Sequence, residues 1–208
     1  MDRVSIKEKA KKMIVGNKWY LWKPVVFFEL IAFAIGAVVG IILAMLKASQ
    51  ETITLVSGSI GGILGTAFNV GYAKYNLEFV RGNKMEWQSV LDFAKKYFVK
   101  AMLVSIVVGI IATFGALLLV IPGVIAAVGL TFYKEVCADN PELSTMEIVK
   151  KSWNMTNGHK MDILVVVLSF LGWSIVAGFT LGILLIWLVP YMNITMTLIY
   201  EELKGKAA

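Results

Sequence analysis

Of the 20 Lys and Arg residues in this chain, only Lys47 stands apart once the long apolar runs are laid out as membrane crossings. Those runs constrain the fold first. They are too long for the short amphipathic elements of a soluble core and have the length of bilayer spans. With 58% hydrophobic residues and a mean hydropathy of +0.76, the 208-residue chain is too apolar for an ordinary soluble domain.

Six spans can be drawn: about Pro24 to Leu46, Ile53 to Val80, Phe98 to Val120, a short one from an Ile121-Pro122-Gly123 turn to Cys137, Ile163 to Phe179, and Gly182 to Tyr200. Pro24 suits the opening turn of a helix, and Pro190 removes one backbone bond inside the sixth. The second span is long enough to tilt or to project from the bilayer. On this map the basic residues before span one, around links two–three and four–five, and at the C-terminus share one side. By the positive-inside rule both termini face the cytoplasm. The first apolar run is too long for a cleavable signal peptide.

A weak repeat organises the chain into units of about 1–82, 83–143 and 144–208 within one membrane domain. Ser5, Glu8, Lys11 and Lys12 recur as Ser144, Glu147, Lys150 and Lys151, each set opening with a capping-box pattern. A looser version starts at Asn83 with Glu86, followed by Lys95 and Lys96. Ile6, Ala10, Met13 and Ile14 share one helical face, as do Trp87, Val90, Leu91, Ala94 and Phe98. The expected fold is therefore all-α and polytopic: six transmembrane helices as three hairpins, each preceded by a basic amphipathic helix lying on the membrane interface. A pseudo-threefold bundle follows from the repeat.

Within the spans, Ser57, Gly61, Gly65, Asn69 and Ala73 form a small-residue stripe that predicts close packing in the first hairpin, a homodimer face or a lipid-tail groove. Glu29, Asn69 and Asn193 are the candidate intramembrane polar residues, the asparagines as interhelical hydrogen-bonding groups and Glu29 as a paired or substrate-handling carboxylate. Lys74 and Glu78 are placed to pair, and Glu135 is expected near an interface where snorkelling lowers its cost. Trp19, Trp22, Trp87 and Trp153 read as interfacial anchors.

The chemistry points away from catalysis. A lone Cys137 and a lone His159 exclude thiol-based zinc sites and His-rich metal sites. No phosphate-binding glycine loop or HExxH pattern is present, so no cofactor, metal or catalytic residue is expected. The net charge of +6 sits beside apolar runs, which favours anionic lipid over nucleic acid as its partner.

The second half carries Ile121-Pro122-Gly123, then Asp139-Asn140-Pro141, Gly158-His159-Lys160, Gly172-Trp173, Thr180-Leu181-Gly182, Pro190-Tyr191 and Tyr200. With Ala10-Lys11-Lys12 and Gly16-Asn17-Lys18-Trp19 near the start, this set resembles the bacterial integral-membrane family known as domain of unknown function 975. That family is distantly similar to the membrane domains fused to glycerophosphodiester phosphodiesterases. The resemblance implies a six-span protein of the bacterial cytoplasmic membrane and supplies no catalytic residues. Taken together, the reading is a non-enzymatic accessory or scaffold protein. It would bind anionic headgroups, a membrane partner or a second copy through Lys11, Lys12, Lys95, Lys96, Lys150, Lys151 and Lys160. The alternative is a small transporter or export/immunity factor built around Glu29, Asn69, Asn193 and the Pro190 kink.

Overall fold

The structure is a computed structural model describing residues 1–118, 120–180 and 183–207. Among these residues all regular structure is helical: α1 Arg3–Ile14, α2 Lys18–Met45, α3 Gln50–Val80, α4 Gln88–Lys96, α5 Phe98–Leu118, α6 Val120–Gly129, α7 Tyr133–Asp139, α8 Thr145–Met155, α9 Lys160–Phe179 and α10 Leu185–Ala207. Five segments are long and apolar enough to cross a membrane: α2, α3, most of α5, Ile121–Asp139 and α9. The helix α10 is not among them, and the start expected for a sixth span, at about Gly182, lies outside the described residues.

The chain divides into a band and a tier. In the band, large apolar side chains point outward, among them Leu30, Phe33, Ile110, Phe114, Leu168 and Phe179. In the tier they point inward: Ala67 to Phe79 of α3, Phe132 to Ala138 around α7, and Tyr191 to Leu203 of α10 supply most of the core. Length explains the split. At 31 residues α3 extends about 46 Å, against a hydrocarbon thickness of roughly 30 Å, so about a third of it must leave an apolar solvent and find cover elsewhere.

The three basic helices provide that cover. The helix α4 packs on α3, α8 packs on α7, and α1 returns from the start of the chain to pack on α10. Ile6, Ala10 and Ile14 are buried on α1, Val90 and Ala94 on α4, and Ile148, Val149 and Met155 on α8. The apolar faces expected to rest on the bilayer are thus covered by protein, because the projecting helices offer them a better partner. Two crossings are close enough to require glycine. A Cβ on Gly71 would lie 2.4 Å from the Val90 carbonyl oxygen, and one on Gly129 would lie 2.5 Å from the Trp153 ring. By contrast Gly58, Gly61, Gly62 and Gly65 have nothing within 4 Å of an added Cβ. The small-residue stripe of α3 therefore does not pack the first hairpin as expected.

Helix ends and prolines follow local chemistry. The Ser144 hydroxyl accepts from the Glu147 amide at 3.4 Å while Glu147 accepts from the Ser144 amide at 2.8 Å, the reciprocal box read from sequence. The first helix differs: Asp2, not Ser5, caps it, accepting from Val4 and Ser5. A carboxylate upstream outcompetes the hydroxyl because it satisfies two amides. Asn83 caps no helix and instead donates to Glu78. Pro122 and Gly123 lie in the first turn of α6 and form no turn of their own. Gly123 has no room for a side chain there, since a Cβ would sit 2.9 Å from Ala116 Cα of α5.

Each interior proline frees a carbonyl four residues earlier, and here an aromatic side chain takes it. Pro24 leaves the Tyr20 carbonyl without a helical donor, and the Tyr75 hydroxyl donates to it at 3.0 Å. Pro190 does the same to Ile186, whose carbonyl accepts from Trp22 Nε1 at 2.6 Å. The break between α6 and α7 frees Gly129, whose carbonyl accepts from the Ser152 and Thr156 hydroxyls, both at 3.3 Å. Three irregularities in three helices are thus satisfied from a neighbouring helix, so each bond is also a tertiary contact.

Candidate functional site

The ends of α3, α7 and α10 meet in the tier, and their charges form one network. Asp139 closes α7, where Asn140 and Pro141 end the helix, and its carboxylate is nearly buried. It accepts from Arg81 Nη2 at 2.8 Å, Lys204 Nζ at 2.5 Å and the Tyr200 hydroxyl at 3.0 Å. Arg81 also binds Glu201 at 2.7 Å and Glu78 at 3.4 Å, and Glu78 pairs with Lys74 at 2.8 Å as its spacing suggested. Burial works against the Arg81 guanidinium, but Asp139 and Glu201 outweigh it and hold the pKa above its ordinary value. Every charge in the network has a partner, so its physical effect is to fix three helix ends together. Sequence reading missed it because Arg81, Asp139 and Glu201 lie far apart in the chain. The available signal was their shared place toward the C-terminal ends of apolar segments.

This network draws carboxylates inward and leaves the exposed lysines behind. Among the described residues Lys11, Lys12, Lys95, Lys96 and Lys150 make no ion pair, and all five are exposed. Lys96 sits over the Tyr97 ring at 5.2 Å and Lys11 over Tyr191 at 5.8 Å. The other two candidate lysines are engaged: Lys151 donates to Asn140 Oδ1 at 2.9 Å, and Lys160 to Asn157 Oδ1 at 2.6 Å while lying 4.1 Å from the Trp153 ring. A crevice of about 330 Å³ opens between α2, α3 and α4, walled by Phe28, Ile31, Leu64, Phe68 and Leu91, with Lys95 among the lining residues.

The intramembrane polar residues are not gathered. Glu29 is exposed on α2 with no partner among the described residues. Asn69 is exposed and donates to Gly65 O at 2.8 Å, and Asn193 donates to Val189 O at 3.0 Å. Both asparagines therefore bond their own helix four residues back, which corrects the interhelical role expected of them. An amide reaches its own i−4 carbonyl whenever no neighbouring helix presents an acceptor. Glu135, expected to reach an interface, is buried in the core with one carboxylate oxygen unpartnered, as is Asn76 Oδ1. No group of three or more His, Cys, Asp and Glu residues suited to a metal ion occurs among the described residues.

Residues 111–207 match the model of a family described as protein of unknown function, DUF975. The matched stretch runs from the second half of α5 through α10, and it holds Asp139, the capping box of α8, Pro190, Tyr200, Glu201 and Lys204. No curated protein and no solved structure matches the chain.

Proposed function

We propose that this protein is a non-enzymatic accessory component of the bacterial cytoplasmic membrane that binds anionic phospholipid at the basic end of its helical bundle. The carrying observation is the set of five exposed lysines without carboxylate partners beside an outward-facing apolar band. Each such lysine near anionic headgroups contributes roughly 1 kcal/mol, while leaving them unneutralised on one rim costs mutual repulsion. The apolar crevice with Lys95 in its lining fits the same ligand, an acyl chain below and a phosphate above. In this reading α10 completes a sixth crossing, the basic tier faces the cytoplasm, and Lys47 marks the outer turn.

Extraction of the protein with its surrounding lipid in polymer-bounded discs, followed by lipid analysis, tests the function. Anionic species are expected to be enriched over the bulk membrane. Neutralising Lys11, Lys12, Lys150 and Lys151 together should return the composition toward bulk. Unchanged enrichment in that variant, or none in the wild type, refutes the reading. Labelling of Lys47→Cys by an impermeant thiol reagent from outside intact cells tests the orientation.

A further inference from the structure

The face of α1 turned toward α9 and α10 carries three cations in register. Arg3, Lys7 and Lys11 lie four residues apart and all border one crevice of about 400 Å³, together with Ser169 and Tyr191. Like charges at that spacing oppose helix formation and one another. Arg3 has a carboxylate, Asp162, with 3.6 Å from its Nε to Oδ1. Lys7 and Lys11 have none: Glu8 borders the same crevice but makes no ion pair among the described residues. Lys7 is half-buried, donates to the Ser169 hydroxyl and lies 4.7 Å from the Phe170 ring. Burial first, then Lys11 and Arg3, hold its pKa below the ordinary lysine value. The half-buried Lys7 and the exposed Lys11 thus border one crevice in which neither is ion-paired among the described residues. The crevice borders the apolar outer face of α9, where Val165 and Leu168 are exposed.

We propose that this crevice binds the phosphate of an anionic phospholipid, held by Lys7 and Lys11 with the Tyr191 hydroxyl as a further partner, the acyl chains lying along Val165 and the outer face of α9. The site rests on the lipid-binding reading above and sharpens it from a diffuse rim to one defined position.

Native mass spectrometry of the detergent-solubilised protein, titrated with phosphatidylglycerol, phosphatidylcholine or inorganic phosphate, tests it. One phosphatidylglycerol is expected to survive activation that strips the rest, and phosphatidylcholine is not. Lys7→Gln/Lys11→Gln should lose that one lipid, whereas Lys18→Gln/Lys84→Gln, which removes two exposed lysines outside the proposed lipid-binding set, should keep it. Equal loss in both double variants overturns the crevice while leaving diffuse lipid binding standing, and absence of retained anionic lipid in every form overturns both. Retention of inorganic phosphate in place of the lipid overturns the phospholipid assignment. Thermal unfolding separates a structural Lys7 from a ligand-binding one. Lys7→Met should melt no lower than wild type without lipid and lose the upward shift that phosphatidylglycerol gives the wild type. A lower lipid-free melting point with the shift intact makes Lys7 a structural residue and refutes the site.

Discussion

The bond between the Tyr75 hydroxyl and the Tyr20 carbonyl should be worth more than its chemistry alone, because Pro24 has removed the carbonyl's helical donor. Tyr75 is 1% exposed, so water cannot readily replace the hydroxyl. Tyr75→Phe keeps the ring stacked on Tyr20 at 4.7 Å and deletes only the 3.0 Å bond. The expected cost is about 1–3 kcal/mol, the range for leaving a buried acceptor unsatisfied. For a chain of this size each kcal/mol lowers the melting temperature by about 2–4 °C. In a Pro24→Ala background the residue 24 amide can again donate to Tyr20, so the same Tyr75→Phe change should cost about 1 kcal/mol less. The lone, buried Cys137 supplies the assay: a thiol-reactive fluorogenic dye reports unfolding in detergent without any added probe. Equal costs of Tyr75→Phe in the two backgrounds would refute the argument that the proline creates the need for the tyrosine. So would a Tyr75→Phe variant as stable as wild type.

The same dye assay checks three further expectations, and a fourth is pH-dependent. Trp22→Phe should destabilise through the Ile186 carbonyl, and Pro190→Ala should reduce that cost. Gly71→Ala and Gly129→Ala should each cost about 1–3 kcal/mol through overpacking, whereas Gly61→Ala, in open space, should be neutral or stabilise by up to about 1 kcal/mol. Asp139→Asn should cost about 1.5–3 kcal/mol, less than a fully orphaned buried charge, because Arg81 keeps Glu201 and Glu78. The Ser144 hydroxyl and amide hold the Glu147 carboxyl below its usual value of 4.5, so its capping contribution is complete above about pH 4.5 and is lost as pH falls through the lowered value. Amide exchange in the first turn of α8 should rise on that acidification in the wild type and not in Glu147→Gln.

What the sequence made legible was decided by local chemistry. Apolar run length marked the five segments long and apolar enough to cross a membrane and also α10, which is not among them. The Ser144–Glu147 spacing gave its capping box because both partners lie within one turn. Reading failed where the partner was distant. Spacing marks Gly61 and Gly65 as part of a packing stripe, yet neither has a neighbour, while Gly71 and Gly129, which look isolated in sequence, are pressed against α4 and α8. Their meaning depends on where α4 and α8 cross, and that depends on how far α3 and α7 run beyond the apolar band. The lysine-rich helices follow the same rule. Their periodicity identified an apolar face, but a face one helix wide fits a bilayer surface and a protein groove equally well. The groove wins here because the projecting ends of α3, α7 and α10 must be covered once they leave the band. Covering them turns the apolar faces of α1, α4 and α8 inward and leaves Lys11, Lys12, Lys95, Lys96 and Lys150 exposed. The ion network at Asp139 then consumes the nearby carboxylates. Both steps leave unpaired cations on the basic helices, and the proposal of an anionic lipid partner rests on that excess.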